Sequence, residues 1–448
     1  MELQLKNIGM IKEANVKIDG LTVIAGENNT GKSTIGKLLF SIIKASSRYK
    51  EDLEENKEQK IFSLIEKNYF QLRRRIDFSD RLDLRELFYP PKFKRDIDEN
   101  QVIAIDNRLE KLNKLDEKIT LTENFNLKNI EKNLLEIKNI LLEDENAQEA
   151  QKRAFKKVLI SEFKGKVSNQ NFLDEKSDIK IYEGENQILD ISLSNNFITD
   201  FVVLDELYFS DATFIESPLL MQLSEVIDTS KTYFEEVDKN ERVMNRKPNV
   251  SLHIKDLNEK IKESAYNEDF FGLDFLFSDI DLEGLLNNLT DIIKGNIKYN
   301  KKTKDFMYIS NGKTYDSLNT ATGIKAFGII EMLIKSGYFT QRSLLILDEP
   351  EVHLHPKWQL KYAELIIELV RNNINVLVTS HSPYMIEALK RYSESKDIED
   401  KTNFYLAGDD YIKQIKNSNS QTLVAIYEKL SEPYDVFEEM ESDRFNNG

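Results

Sequence analysis

The chain has 448 residues, of which 40% are hydrophobic and 31% are charged, and its formal net charge is −16. It contains no cysteine, which excludes disulfides and thiolate zinc sites, and no apolar run approaches the ~18 residues of a membrane span, so we expect a cytosolic protein. The acidic balance excludes nucleic-acid binding through a general positive field, and any such contact requires a local basic patch, for which the candidates are residues 73–75, 92–95, 152–157 and 301–304.

The N-terminal segment is predicted to form three short strands. Apolar residues alternate with polar ones around Leu3 and Leu5 and again from Ala14 to Ile18, and Leu21–Ala25 is a continuous apolar run. The third run has the composition of a strand that is buried on both faces.

A phosphate-binding loop follows this third strand. Residues 26–33 read Gly-Glu-Asn-Asn-Thr-Gly-Lys-Ser, and apolar residues at helical spacing begin at Ile35. The glycines let backbone N–H groups turn inward toward an anion, and the new helix adds its positive N-terminal end. We expect Lys32 to reach the β- and γ-phosphates of a nucleotide and the Ser33 hydroxyl to be a ligand of Mg²⁺. The predicted nucleotide-binding residues here are Gly26, Glu27, Asn28, Asn29, Thr30, Gly31, Lys32, Ser33 and Thr34.

The middle of the chain alternates between helical and strand-like segments. Residues 48–166 are rich in Lys, Glu and Asn and carry two apolar stripes, at 109–119 and 130–141, that predict a pair of helices. Pro90-Pro91 predicts the end of a helix. Strands are predicted at 179–183, 187–193, 212–216, 297–299 and 306–310, with a second helical segment at 218–294. The predicted divisions are 1–45, 46–170 (helical insertion), 171–217 (strands), 218–294 (second helical insertion) and 295–448.

Two further strand ends carry polar side chains. The apolar run Leu344–Leu347 leads into Asp348 and Glu349. We expect Asp348 to hold magnesium and Glu349 to accept a proton from the attacking water. A second run, 376–379, precedes His381, which we expect to donate to the γ-phosphate and to position the water.

A second anion site is predicted at the start of a later helix. Residues 320–325 read Thr-Ala-Thr-Gly-Ile-Lys and combine hydroxyls, a glycine and a helix N-terminus. Because one nucleotide already has its own phosphate loop, we expect this site to serve the γ-phosphate bound by a partner subunit.

Taken in order, these motifs resemble the head of an ABC-type ATPase. The run 347–356 (Leu-Asp-Glu-Pro-Glu-Val-His-Leu-His-Pro) followed by Thr-Ser-His-Ser-Pro at 379–383 resembles the RecF/SMC-like and OLD-like branch. Residues 319–328 and 347–360 are similar to ATPase subunits of bacterial antiphage systems of the Septu and retron-associated type. The resemblance implies an α/β fold, with a P-loop ATPase head made of a mixed sheet flanked by helices, and with helical insertions between residues 1–45 and 295–448, the two halves of that head.

The resemblance also implies a homodimer, or an assembly built from dimers, that holds ATP and Mg²⁺ between two subunits. One subunit would supply the phosphate loop, the magnesium ligands Ser33 and Asp348, and the catalytic residues Glu349 and His381. The other would supply Thr320, Thr322, Gly323 and the loop that contains His355.

The chain departs from the family pattern at three points. Ala321 stands where the family often has a serine, so the phosphate hydroxyl has to come from Thr320 or Thr322. His355 stands where transporter ATPases have an aspartate. No glutamine occupies a clear Q-loop position, and the nearest candidates are Gln59 and Gln71.

The leading functional hypothesis is an ATPase switch that converts ATP and water into ADP and phosphate and regulates a partner effector, such as an HNH or Toprim nuclease, in antiphage defence. The alternatives are a RecF-like DNA repair ATPase on duplex DNA, a transport ATPase subunit and a non-hydrolysing ATP-sensing scaffold. The segment after His381 is shorter than a Toprim domain, so we expect nuclease chemistry to come from another chain. Because the sequence has no long apolar run, we expect no membrane to be involved.

Overall fold

The structure is a computed structural model that describes residues 1–75, 87–116, 128–142, 147–233, 247–266, 282–408 and 410–446. Contacts divide the chain into two compact units, the first made of Met1–Ser47 and Lys152–Gly448 and the second of Arg48–Gln151. Among these described residues, no helix is both long enough and apolar enough to cross a membrane.

The first unit is built on a large mixed sheet. The strands, in chain order, are β1 (Glu2–Ile8), β2 (Ile11–Lys17), β3 (Leu21–Gly26), β4 (Ser177–Glu183), β5 (Asn186–Ser194), β6 (Phe197–Val203), β7 (Asp211–Ile215), β8 (Lys231–Thr232), β9 (Asn249–Val250), β10 (Asn296–Asn300), β11 (Asp305–Ser310), β12 (Lys313–Asp316), β13 (Ser343–Asp348), β14 (Asn375–Ser380), β15 (Thr402–Gly408) and β16 (Tyr411–Lys413). The main sheet has the order β6-β5-β4-β1-β2-β16-β15-β3-β14-β13-β7, and β10–β12 form a separate three-stranded sheet.

The main sheet has a parallel part and an antiparallel part. Strands β15, β3, β14, β13 and β7 are parallel to their neighbours in that series, whereas β6, β5, β4, β1 and β2 pair antiparallel. Every residue of β3 and β13 is buried, as continuous apolar runs require when helices cover both faces of a parallel sheet. The mixed sheet with flanking helices confirms the predicted α/β fold class.

The described helices are α1 (Lys32–Arg75), α2 (Pro90–Asn100), α3 (Val102–Asp116), α4 (Lys128–Leu142), α5 (Ala147–Phe163), α6 (Ser224–Thr229), α7 (Leu252–Glu263), α8 (Leu282–Ile293), α9 (Thr322–Lys335), α10 (Pro356–Arg371), α11 (Pro383–Ser395) and α12 (Asn419–Asn446). The predicted strands at 179–183, 187–193, 212–216, 297–299 and 306–310 all coincide with strands of the structure. Strands β6 and β12 had no prediction, because their side chains are largely exposed and carry no clear alternation.

The predicted second helical segment, 218–294, contributes to the core of the first unit. Its described part contains a 3₁₀ turn (Pro218–Leu223), α6, α7, α8 and the two-residue strands β8 and β9. Leu257, Ile261, Leu285 and Leu289 are buried in the same hydrophobic cluster as the parallel strands. These helices therefore help to fix the face of the sheet on which they pack.

The second unit is helical and has its own small core. Residues of the two predicted stripes, among them Leu112, Ile130, Leu134 and Ile137, are buried in one cluster where α3 and α4 pack together. Ile119 of the first stripe lies outside the described residues. A helix ends before Pro90-Pro91, as predicted: residues 87–88 are helical, Tyr89 is extended, and α2 begins at Pro90, a position where the missing proline N–H costs nothing.

Candidate functional site

The carboxyl ends of four neighbouring parallel strands bring the predicted site together. In the sheet register, Ser380 pairs with Ala25 of β3, Asp348 pairs with Thr379 of β14, and Leu347 pairs with Ile215 of β7. The phosphate loop, His381, Asp348 and Glu349 therefore follow adjacent strands at one edge of the sheet. This is the edge at which open α/β sheets bind ligands.

The phosphate loop has the turn geometry that its glycines predict. Asn29 and Gly31 have φ of 67° and 87°, so the loop passes twice through the left-handed region. A side chain at Gly26 would lie 2.1 Å from the carbonyl oxygen of Ala407, which allows only hydrogen there. The Thr30 hydroxyl donates to the Glu27 carbonyl, and the Thr34 N–H donates to the Gly31 carbonyl, which together close the turn into α1. Glu27, Asn28 and Asn29 are exposed at the tip of the loop.

The Lys32 ammonium lies inside the curve of this loop. Its Nζ donates to the carbonyl oxygens of Gly26 (3.1 Å) and Glu27 (2.6 Å), and the residue is only 3% exposed. Its nearest carboxylate oxygen is Oε1 of Glu349, at 3.6 Å. The loop therefore holds a buried lysine near the carboxylate of Glu349, the predicted catalytic base.

Asp348 is a buried carboxylate on the floor of the site. Its Oδ1 accepts a hydrogen bond from the Thr379 hydroxyl at 2.6 Å, and the Ser33 hydroxyl also bonds to it. Burial raises the pKa of Asp348, which means that its charge lacks full compensation from the protein. A hydroxyl and a carboxylate in contact suit Mg²⁺, which takes few protein oxygens and completes its shell with phosphate and water.

Glu349 is held in an unusual backbone conformation next to His381. Its φ is 48°, and its N–H donates to Thr379 on the neighbouring strand. Its Oε1 lies 3.4 Å from Nδ1 of His381 as well as 3.6 Å from Nζ of Lys32. Left-handed backbone at a glutamate is uncommon, so the surrounding structure holds Glu349 in this conformation.

Glu351 fixes the loop that carries His381, and its role was not anticipated from the sequence. Its buried Oε1 accepts from the Ser380 hydroxyl (2.7 Å), the His381 N–H (2.9 Å) and the Ser382 N–H (3.2 Å), and it lies 3.4 Å from His381 Nδ1. Burial raises the pKa of Glu351 and outweighs these hydrogen bonds, which favour the carboxylate and lower the pKa. The signal was present in the run 347–356, but only the fold reveals which main-chain groups this carboxylate binds.

Beside these residues is a cavity of about 340 Å³. Its walls include Ser33, Asp348, Glu349 and Glu216, which directly follows β7. Glu216 was not predicted from the sequence, because the family has a glutamine at its Q-loop; the candidates Gln59 and Gln71 both belong to the second unit. The register of β7 with β13 puts Glu216 next to Asp348.

The predicted second anion site lies at the N-terminus of α9. Thr320 is buried and its hydroxyl donates to the Asp316 carbonyl at 2.8 Å, so that hydroxyl is engaged. Thr322 is the first residue of the helix and is partly exposed, and among the described residues its side chain has no hydrogen bond. Gly323 packs so closely on Trp358 that a side chain there would approach the indole to 2.9 Å. Of the two predicted hydroxyls, that of Thr322 is the accessible one.

The histidines of the run 347–356 have different positions. His355 caps the start of α10, where its Nδ1 accepts from the Lys357 N–H at 3.3 Å, and it is exposed. His353, with φ of 69°, lines the cavity instead. Within the described chain, His353 therefore borders this cavity, whereas His355, which was predicted to serve the site of the other subunit, does not line it.

Comparison with known proteins identifies the family. The family described as "AAA ATPase domain" matches residues 1–386. The chain belongs to this AAA ATPase domain family. Septu protein PtuA of Bacillus thuringiensis is 28% identical over 138 residues, which are 25% of this chain and 35% of PtuA. Endonuclease GajA of Bacillus cereus (strain HuB5-5) is 25% identical over 408 residues, 84% of this chain and 54% of GajA. The chain thus spans about a third of one curated relative and about half of the other, and the predicted resemblance to antiphage ATPases is confirmed.

Solved structures of SMC heads are distant in shape. The SMC head bound to the C-winged helix domain of ScpA has a TM-score of 0.39 at 11% identity, covering 92% of this chain and 96% of that chain. The SMC head domain from Thermotoga maritima has a TM-score of 0.35 at 10% identity, covering 92% and 98%. The family assignment rests on the sequence match to the AAA ATPase domain.

Proposed function

We propose that this chain is an ATP-binding and ATP-hydrolysing switch subunit that pairs with a second copy around ATP and regulates an effector in antiphage defence. Support comes from its family, from its similarity to PtuA and GajA, and from the geometry at the carboxyl ends of β3, β14, β13 and β7.

The observation that carries the proposal is the convergence of Lys32, Glu349 and His381. Oε1 of Glu349 lies 3.6 Å from Nζ of Lys32 and 3.4 Å from Nδ1 of His381, although the three residues follow three different strands. In our proposal Lys32 binds the β- and γ-phosphates, Glu349 accepts the proton of the attacking water, and His381 orients that water and the γ-phosphate. Magnesium, held by Ser33 and Asp348, supplies charge neutralisation at the phosphates.

The second copy would complete the phosphate site through α9. The N-terminus of α9 at Thr322 favours an approaching anion, and the close packing of Gly323 on Trp358 fixes the position of this helix start. One turn into the helix, Lys325 is 1% exposed and has no ion pair within the described residues, so a buried cation stands behind this helix start. These features favour Thr322 and Gly323 as ligands of a γ-phosphate bound in the other subunit.

The surface around this helix start is also unusually apolar. Leu223 and Val226, from the turn before α6 and from α6 itself, are 54% and 52% exposed, and Leu318, two residues before Thr320, is 68% exposed. The Gln222 side chain donates to the Ser317 carbonyl at 3.5 Å, which ties the two segments together. An exposed apolar patch beside an incomplete phosphate site fits an interface with another copy.

The effector in this proposal is a separate nuclease, for example of the HNH or Toprim type. The endonuclease named among the relatives, GajA, is longer than this chain, which covers 54% of it. In a switch of this kind, ATP closure and hydrolysis drive a rigid-body change that the partner senses. Nucleic acid in this assembly would be bound by the local basic patches named above, at residues 73–75, 92–95, 152–157 and 301–304.

ATP binding by a Lys32→Ala variant tests the proposal. We expect affinity for ATP, measured by calorimetry with Mg²⁺ present, to fall by at least about 100-fold, since a buried charge-assisted contact to the phosphates is lost. Lys17→Ala, which removes a lysine that pairs with Asp19 on the surface, is the matched control and should bind ATP normally. Equal affinity in both variants would overturn the assignment.

A further inference from the structure

A buried histidine outside the predicted motifs joins two glutamates. His253, near the start of α7, is 2% exposed. Its Nδ1 lies 2.5 Å from Oε2 of Glu162, and its Nε2 lies 3.1 Å from Oε2 of Glu216. A neutral imidazole has one N–H, so contacts of both ring nitrogens with carboxylates require the doubly protonated ring. Burial opposes that charge, but the two glutamates outweigh it and raise the pKa of His253.

The histidine and its inner partner have little freedom to move. The rings of Phe40 and Phe214 lie 6.1 and 4.9 Å from the imidazole. The Glu162 side chain is fully buried, and its Oε1 accepts from the His253 N–H at 3.2 Å. Glu162 belongs to the C-terminal end of α5, the helix through which the chain returns from residues 48–151 to the first unit.

The outer partner, Glu216, faces the nucleotide cavity. It lines that cavity with Ser33 and Asp348, and its side chain is 47% exposed. Besides His253, it forms an ion pair with Lys37, at 3.8 Å. The hydrogen-bonded series Glu216–His253–Glu162 therefore runs from the cavity wall to a buried helix end.

We propose that Glu216 is an additional acidic residue of the nucleotide site, that His253 positions it, and that the series Glu216–His253–Glu162 connects filling of the cavity with the C-terminal end of α5. The inference rests on the proposed function, because the cavity's ligand is taken to be Mg–ATP. A carboxylate beside Asp348 accepts a hydrogen bond from water on the bound nucleotide. A hydrogen bond that Glu216 accepts from that water weakens its hold on the imidazolium, which then relies on Glu162.

A purely structural role for His253 predicts different behaviour from the positioning role. The same helix junction contains another long-range contact, in which the Leu252 N–H donates to the Ser161 hydroxyl at 2.7 Å. Ser161→Ala removes this contact without touching the series, so it is a matched control for loosening of the junction. Glu216→Ala removes the half-exposed carboxylate at the cavity end of the series and leaves the buried His253–Glu162 pair intact.

The first measurement is steady-state ATP turnover by the full chain. We expect Glu216→Ala and His253→Gln each to lower kcat about tenfold with KM for ATP changed by less than about threefold, the signature of a positioning defect. The double variant should be no slower than the slower single variant, because both remove one unit. Glu216→Gln keeps an acceptor for His253 and should recover most of the activity, and Ser161→Ala should stay within twofold of the unaltered chain.

The second measurement is amide hydrogen exchange at residues 159–163 and 252–255, with ATP and Mg²⁺ at concentrations that saturate each variant. Addition of ATP should change exchange there in the Glu349→Gln background, and the change should disappear when Glu216→Ala is added. Unaltered turnover in Glu216→Ala, multiplicative losses in the double variant, or an ATP response that survives Glu216→Ala would each overturn the inference. None of those outcomes affects the test of ATP binding by Lys32. If ATP binding does not depend on Lys32, the proposed function itself fails.

Discussion

Two histidines of this protein each lie between two glutamates, but they differ in distance and exposure. His381 has Glu349 and Glu351 at 3.4 Å each, and its side chain is 38% exposed. His253 has Glu162 at 2.5 Å and Glu216 at 3.1 Å and is almost completely buried. The first is loose and open to ligand, as a group that exchanges partners during a reaction has to be. The second is tight and enclosed, as a group that holds another in place has to be.

The comparison separates the part of the site that performs chemistry from the part that supports it. Around His381, the ring nitrogen Nδ1 is buried 3.4 Å from the carboxylates of Glu349 and Glu351, whereas the side chain as a whole is 38% exposed. Around His253 only one end of the series, Glu216, reaches the cavity. Substitutions around His381 should therefore change the rate of ATP hydrolysis most. Substitutions around His253 should change the stability of the fold and the pH dependence of that stability.

The largest effect should come from Glu349→Gln. The amide cannot accept the proton of water, so we expect kcat for ATP hydrolysis to fall by about 10²–10⁴-fold while ATP still binds. Phosphate release under saturating ATP measures this. Glu394→Gln, an exposed glutamate on α11, is the control and should be fully active. Normal hydrolysis by Glu349→Gln would show that the base is another residue.

A smaller effect is expected from Glu351→Ala. The change leaves the Ser380 hydroxyl and the N–H groups of His381 and Ser382 without their acceptor, which should lower the free energy of unfolding by about 3 kcal/mol and disorder His381. Urea denaturation and ATP turnover measure the two consequences. Glu351→Gln retains an acceptor oxygen and should lose less than about 1 kcal/mol. Equal losses in the two variants would mean that these bonds do not hold the loop.

The smallest effect is a pH dependence that His253 and Glu216 give to stability. The pKa of His253 is raised from 6.5, so its contribution is complete below pH 6.5 and is lost as the pH rises through the folded-state pKa. The hydrogen bond to His253 lowers the pKa of Glu216 from 4.5, so its contribution is present above pH 4.5 and is lost as the pH falls through the folded-state value. Together they should stabilise the fold most between pH 4.5 and 6.5. Urea midpoints across pH should reveal the alkaline decline, and His253→Gln should flatten it; an unchanged slope would contradict the charged imidazole.

The surroundings of His381 could be predicted from the sequence, whereas those of His253 could not. Asp348, Glu349 and His381 follow apolar runs, and the ends of parallel strands meet at one edge, so the motif and the fold class together predict their proximity. The phosphate loop is more local still, since its geometry depends on residues 26–33 and the flanking strand and helix. The α/β class was implied by the resemblance of these motifs, taken in order, to the head of an ABC-type ATPase.

The supporting series could not be predicted in this way. Glu162, Glu216 and His253 are far apart in sequence, and their contacts depend on how α5, β7 and α7 pack, which no local pattern specifies. Glu351 was visible within a motif, but its three main-chain and hydroxyl partners depend on the turn after β14. The end of a helix before Pro90-Pro91 was predicted, but the start of α2 at Pro90 was not, because proline both follows the end of one helix and fits the first turn of the next.

Mixing two inactive subunits tests most directly whether ATP is held between copies of this chain. Lys32→Ala disables the phosphate loop, and Thr322→Asp puts a negative charge at a helix start that tolerates aspartate, so each variant alone should be inactive. In an equal mixture, about half of the dimers are mixed and each of these has one intact site out of two, so turnover should recover to about one quarter of that of the unaltered chain. Turnover no higher than the sum of the two separate variants would contradict a site shared between subunits.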